Sequence, residues 1–205
     1  MRLPHRNIKY IIGIDEVGRG PVAGGVAVGA VLLPLSFTKR HFRGVRDSKK
    51  LTAKARNEWF ENIKSKKKNG SLNYAVSFTG HNRVDRVGIA RAVRSALNRA
   101  LVRLDANPRE CLILLDGGLR APEEFIFQKT IIRGDQKEFV IALASIVAKV
   151  TRDRRMVRIS KTYPEYGFEL HKGYGTKLHY NKIKKHGMCD IHRRSFLKRF
   201  DNGIS

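Results

Sequence analysis

The 205-residue chain carries 42 Lys and Arg against 18 Asp and Glu, a formal charge of +24, with 41% hydrophobic residues. That apolar content excludes wholesale disorder and supports one full domain, or one domain with a small appendage. The charge calls for a polyanionic partner, since each phosphate contact releases condensed counterions, although a generally basic proteome or a ribosome-bound structural role would also produce it.

The N-terminus is basic at Arg2, His5, Arg6 and Lys9, and the apolar run that follows stops at Asp15 and Glu16. This is too short for a signal-peptide core or a membrane span. Two cysteines, Cys111 and Cys189, imply no disulfide framework. The reading is a soluble cytoplasmic protein with no membrane partner.

Ile8 to Val17 is rich in β-branched residues and predicts a first strand; Gly24 to Leu33 predicts a second, ended by Pro34. Thr52 can cap a helix running to about Ser65, with Lys64 to Asn69 read as a solvated loop. Leu72 to Thr79 alternates like a strand. Ile89, Val93, Leu97, Ala100 and Leu104 recur at helical spacing, within a long helix that begins near Val84 and carries Arg91, Arg94 and Arg99 on its other face. Cys111 to Leu115 is wholly apolar, the pattern of a strand buried on both faces. Phe125 to Ile132 predicts another strand. Val140, Leu143, Val147 and Val150 mark a helix to about Ser160, and the basic, aromatic tail predicts short helices. The order of elements gives an α/β domain around a mixed central sheet.

Asp15, Glu16, Asp116 and Asp135 each follow an apolar strand. Any one alone reads as an ordinary turn residue. As a set they would converge at the carboxyl ends of strands, where α/β sheets gather their sites, and such a cluster requires cations such as Mg²⁺ or Mn²⁺. Adjacent strand residues face opposite ways, so Asp15 and Glu16 reach one site only through a bulge or a strand end. Gly18-Arg19-Gly20 is not a dinucleotide fingerprint, because a strand rather than a helix follows it. Flanking glycines can instead bring backbone groups close to a nucleic-acid strand and its sugar hydroxyl. His186, Cys189 and His192 could bind zinc, but no second Cys/His pair accompanies them, and a phosphate-facing basic segment is the stronger reading.

Seven segments together resemble the ribonuclease HII family: Gly13 to Pro21, Asp47 to Leu51, Leu115-Asp116-Gly117, Gly134 to Lys137, Ala144 to Arg154, His171 to Lys177, and His192 to Phe196. The resemblance implies a ribonuclease H-like fold, with a catalytic domain over residues 1–160 and a C-terminal helical substrate-binding extension over 161–205. It implies Asp15, Glu16, Asp116 and Asp135 as catalytic carboxylates holding two Mg²⁺ or Mn²⁺ ions. Gly18, Arg19 and Gly20 would contact the ribonucleotide 2′-OH, and Tyr174 would stack on the neighbouring deoxyribose. Ser48, Lys49, Lys50, Lys172, Arg193 and Arg194 are assigned to nucleic-acid contacts. Asp153 is left to a structural ion pair on its helix.

The expected substrate is an RNA–DNA hybrid, or duplex DNA with embedded ribonucleotides, cut 5′ to the ribonucleotide by a monomer serving replication and ribonucleotide excision repair. The family often has asparagine where this chain has Gly88, and no sliding-clamp-binding box is read near Asp201 to Ser205. The rivals are a nuclease of the same fold acting on plain DNA, a non-catalytic nucleic-acid binder, and a dinucleotide-dependent enzyme, the last disfavoured by the strand after Gly20.

Overall fold

The computed structural model describes residues 7–37 and 51–201. Five strands form one sheet in the order β3-β2-β1-β4-β5. Strands β1 (Tyr10–Val17), β2 (Val26–Pro34) and β3 (Asn73–Thr79) make an antiparallel meander, while β4 (Cys111–Asp116) and β5 (Gln128–Ile131) run parallel to β1. This is the mixed α/β sheet that the element order predicts.

Helices cover both faces. On one side, Ile12, Ile14, Val28 and Leu115 pack against Val93, Leu97 and Leu101 of a helix over Ile89–Leu104. On the other, Val31, Leu33 and Leu114 pack against Ile141, Leu143 and Val147 of the helix Phe139–Ser160, with Phe60 and Ile63 of helix α1 (Ala53–Lys68) beside them. Each such side chain, fully buried, stabilises by about 1.5–3 kcal/mol. No helix among the described residues is long and apolar enough to cross a membrane.

Three expectations need correction. The run Lys64 to Lys68 is helical: it forms the last turns of α1, where three lysines complement the negative end of the helix dipole. The strand expected over Phe125 to Ile132 has only four residues, Gln128–Ile131, and Asp135 lies in the short helix α4 (Gly134–Lys137) rather than directly after the strand; helix α5 (Phe139–Ser160) follows. The long helix expected from Val84 is two, α2 (His81–Val87) and α3 (Ile89–Leu104), divided at Gly88. Gly88 has φ 80° and ψ 158°, a region essentially reserved for glycine, so it closes one helix and opens the next.

Beyond α5 the chain forms a single 3-10 turn (Pro164–Tyr166) and helices α6 (Phe168–His171), α7 (Lys177–His186) and α8 (Arg194–Asp201). Tyr166, Phe168, Ile183 and Leu197 build a smaller core with Met156 of α5 and with Val22 and Ala23 from the β1–β2 connection.

Helix α5 lies unusually close to the sheet. A Cβ added to Gly13 of β1 would sit 2.2 Å from the Val140 carbonyl oxygen, and one on Gly29 of β2 would sit 2.5 Å from that of Ala144. The obstruction is backbone on both sides, so no rotamer relieves it. Gly13→Ala is expected to destabilise the fold by about 3 kcal/mol, the upper part of the range for overpacking a core. An unchanged urea midpoint for that variant would show that the helix can rise off the sheet at little cost.

Candidate active site

The site begins where β1 outruns its parallel partner. The β1–β4 ladder ends at Ile14 opposite Leu115, so Asp15, Glu16 and Asp116 stand at the open end of the sheet. No bulge is involved: the β1–β2 register is unbroken through Val17 opposite Ala27. Asp15 shares the face of Gly13 and meets α5, whose Ser145 hydroxyl hydrogen-bonds it. Glu16 takes the opposite face. Both still line one cavity of about 570 Å³, because that cavity wraps the end of the sheet.

The electrostatics are those of crowded acids. Asp15 is 4% exposed, and burial, then the charges of Glu16 and Asp116, push its carboxyl up to about 8. Burial also raises Glu16, against the lowering effect of Arg19, whose guanidinium pairs with it at 3.2 Å. Glu16 Oε2 is buried with no hydrogen-bond partner. Asp116 Oδ1 accepts the Gly134 N–H at 2.6 Å, which ties the end of β4 to the start of α4. Asp135, the next residue, is 1% exposed and does not line the cavity. Three of the four expected carboxylates line the cavity, and Asp135 is buried next to Gly134, whose N–H binds Asp116.

Hard oxygen donors, a buried unpartnered Glu16 oxygen and a carboxyl held near 8 suit a divalent cation, which would relieve the repulsion that raises them. Among the described residues no three acids, histidines or cysteines are yet close enough together to hold one. Asp15, Glu16 Oε1 and Asp116 Oδ1 are instead engaged by Ser145, the Glu16 N–H, Arg19 and the Gly134 N–H, which leaves Glu16 Oε2 unpartnered.

The rest of the cavity wall comes from Gly18, Arg19, Gly20, Arg56, Lys149 and Tyr174. Gly18 has φ 91°, and a Cβ there would lie 2.3 Å from Arg152 Nε; Gly20 faces open space. Two arginines hold this wall from behind. Arg193 is fully buried, and its fork donates to the carbonyls of Gly24 (2.8 Å), Arg19 (2.9 Å) and Gly18 (2.7 Å). Arg152 of α5 donates to the carbonyls of Gly25 (3.0 Å) and Lys172 (3.0 Å), and lies under the Tyr174 ring with Lys149.

Residues 12–199 match the model of the ribonuclease HII family. The chain belongs to the ribonuclease HII family. It is 44% identical over 197 residues to a ribonuclease HII of Caldicellulosiruptor bescii, covering 96% of this chain and 91% of the relative. Among solved structures it resembles the ribonuclease H2 of Pyrococcus horikoshii, with TM-score 0.68, 25% identity, and coverage of 95% of this chain and 100% of that one. A Bst ribonuclease HIII crystallised in complex with Mn²⁺ shares the fold, with TM-score 0.69, 22% identity, and coverage of 89% and 65%. Members of this family are endonucleases of the ribonuclease H class.

Placed on this ribonuclease HII, the remaining expectations divide. Asp153 pairs with Lys149 at 3.0 Å, one helical turn back, as expected. Arg193 is corrected: a guanidinium sealed among carbonyls cannot meet a phosphate. Lys172 and Arg194 are outside the cavity; Lys172 Nζ reaches the Glu169 carbonyl, and the Arg194 N–H donates to Asp85. Ser48, Lys49 and Lys50 lie outside the described residues. Ser145, Lys149 and Arg152 were not singled out, although their spacing of four and three on α5 is a signal for one shared face.

The His186, Cys189 and His192 segment is also corrected, since His192 faces inward rather than toward a ligand. His179 Nδ1–H donates to the Tyr174 carbonyl at 2.9 Å, and its Nε2 is 3.0 Å from His192 Nε2. His192 Nδ1 accepts the Cys189 N–H at 2.9 Å. This chain closes only with both rings neutral, and it buttresses the backbone of Tyr174.

Burial lowers both histidines to about 4 from an ordinary 6.5. A folded-state pKa below the unfolded one means the unfolded chain binds more protons between those values, so stability falls as pH falls. Unfolding free energy is expected to drop by on the order of 3 kcal/mol from pH 6.5 to pH 4. In His179→Asn/His192→Asn that acid limb should flatten, read by urea melts across the range; an equally steep limb would place the titration elsewhere.

Proposed function

We propose that this ribonuclease HII cuts the RNA strand of RNA–DNA hybrids, and duplex DNA on the 5′ side of an embedded ribonucleotide, leaving 3′-hydroxyl and 5′-phosphate ends. One observation carries the reading: the carboxylates Asp15, Glu16 and Asp116 share a cavity with Gly18-Arg19-Gly20 and Tyr174. That places acids for phosphodiester chemistry beside a backbone turn and an aromatic ring suited to a sugar junction.

Asp15, Glu16 and Asp116 would hold divalent cations, with Asp135 supporting them through the turn that binds Asp116. Bound Mg²⁺ or Mn²⁺ supplies an activated water and charge stabilisation for the leaving oxygen. The protein's own share is positioning. Gly18 and Arg19, their carbonyls held by Arg193, present rigid backbone to the ribose 2′-OH. The Tyr174 ring, with Arg152 and Lys149 beneath it, supports the adjoining deoxyribose. Phosphate contacts carry no base information, so sequence should matter little. Ser48, Lys49, Lys50, Lys172 and Arg194 are proposed phosphate contacts, residues 161–205 a substrate-binding extension, and the working unit a cytoplasmic monomer.

End-labelled duplex DNA with one ribonucleotide, incubated with Mg²⁺, Mn²⁺ or EDTA beside an all-DNA control, tests the proposal. One metal-dependent cut 5′ to the ribonucleotide, absent from the control, is expected; cutting of both duplexes would remove the 2′-OH role of Gly18-Arg19-Gly20. Asp116→Asn should lose cleavage at least a hundredfold while still binding the duplex, in line with removing a group that acts only in the transition state. Wild-type cleavage by that variant would sink the carboxylate assignment.

A further inference from the structure

A second cavity, of about 350 Å³, opens beside the catalytic one, and Arg19 lines both. Its rim carries Arg94 of α3 and Arg120 from the loop after β4, with Asn98 nearby and Glu123 as the one acid. Its floor is apolar, contributed by side chains such as Val93 and Leu119. Three guanidinium groups thus line one concavity, and Arg120 lies only four residues beyond Asp116.

The other arginines of α3 show what a structural role looks like here. Arg99 donates to the Phe78 carbonyl and the Thr79 hydroxyl, both at 2.7 Å, and Arg103 donates to the Val76 carbonyl at 2.8 Å. Both brace β3, so Arg99 does not belong to the solvated face where the helical pattern put it. Arg94 and Arg120 are exposed and make no ion pair among the described residues. Arg94 and Arg120, without ion-pair partners among the described residues, suit the planar, two-point recognition of phosphate, with Arg19 beside them held by Glu16.

We infer that this groove is a second phosphodiester site, gripping the backbone of the nucleic-acid substrate away from the scissile position, with Arg19 as the link between the two cavities. The inference rests on the reading of the catalytic cavity given above. It adds Arg94 and Arg120 to the substrate track and identifies their ligand as polymer phosphate rather than a free nucleotide.

The test is equilibrium binding of an RNA–DNA hybrid in EDTA, measured across a range of salt for the wild type, Arg94→Ala/Arg120→Ala, and the control Arg86→Ala/Arg91→Ala. Each lost phosphate contact should reduce the slope of log K against log salt by about 0.7–0.9, so the groove variant should be shallower by between about one and two. Its affinity should fall about tenfold near physiological salt, and Arg94→Lys/Arg120→Lys should recover part of the loss. An unchanged slope, or an equal change in the control, would overturn the site. A mononucleotide that binds the wild type but not the groove variant, with the hybrid slope unaltered, would make it a free-nucleotide site and overturn the polymer assignment. Binding without metal does not depend on cleavage, so a failed ribonucleotide assay and a failed groove assay remain distinguishable.

Discussion

The structure depends on two guanidinium groups buried among carbonyl oxygens. Taking a cation out of water costs several kcal/mol, and proteins usually meet that cost with a carboxylate. Here Arg152 and Arg193 have none among their hydrogen-bond partners and satisfy their forks on backbone alone, at Gly18, Arg19, Ala23, Gly24, Gly25 and Lys172. Burial pulls Arg193 down to about 10, with the like charge of Arg152 adding to the shift. Carbonyl clamping suits this place because a carboxylate nearby would add to the acids already crowding Asp15. Lysine could not substitute, since its three donors sit on one nitrogen while the fork spreads its donors over three to reach carbonyls that lie apart.

The same economy of acids runs through the cavity. Glycine at positions 13 and 29 lets α5 descend until Ser145 reaches Asp15, and the strand end lets Glu16 turn around the sheet to the same space. Asp116 is fixed by one backbone N–H from α4. Rigid elements therefore hold each acid by a different route. The repulsion among them is kept in the fold rather than relaxed by solvent.

Much of this was legible in the residues. The apolar run Cys111–Leu115 could only be a buried strand, and the spacing of Val140, Leu143, Val147 and Val150 fixed the face α5 turns to the sheet. Acids placed after strands marked the end of the sheet where three of them line one cavity, and the ordered motifs pointed to the family. What stayed hidden were properties that composition does not encode. Arg193 and Arg194 are chemically identical neighbours, yet one is sealed and the other exposed; only the tertiary fold distinguishes them. The helix break at Gly88 turns on a backbone angle, and the lysines ending α1 look the same in a loop as on a helix. His192 reads as part of a phosphate-facing segment because its acceptor, His179, is thirteen residues away in sequence.

The carbonyls clamped by Arg193 lie 169 to 175 residues before it in the chain. Such a separation is the extreme of contact order for a protein this size, and closing so long a loop is entropically expensive until the intervening core exists. The turn that carries Gly18 and Arg19 is thus secured by a side chain more than 170 residues away. The sheet and its carboxylates can assemble while this turn is still unsecured. The clamp on this turn is therefore among the last contacts the fold can close, and it closes only over a sheet that is already built.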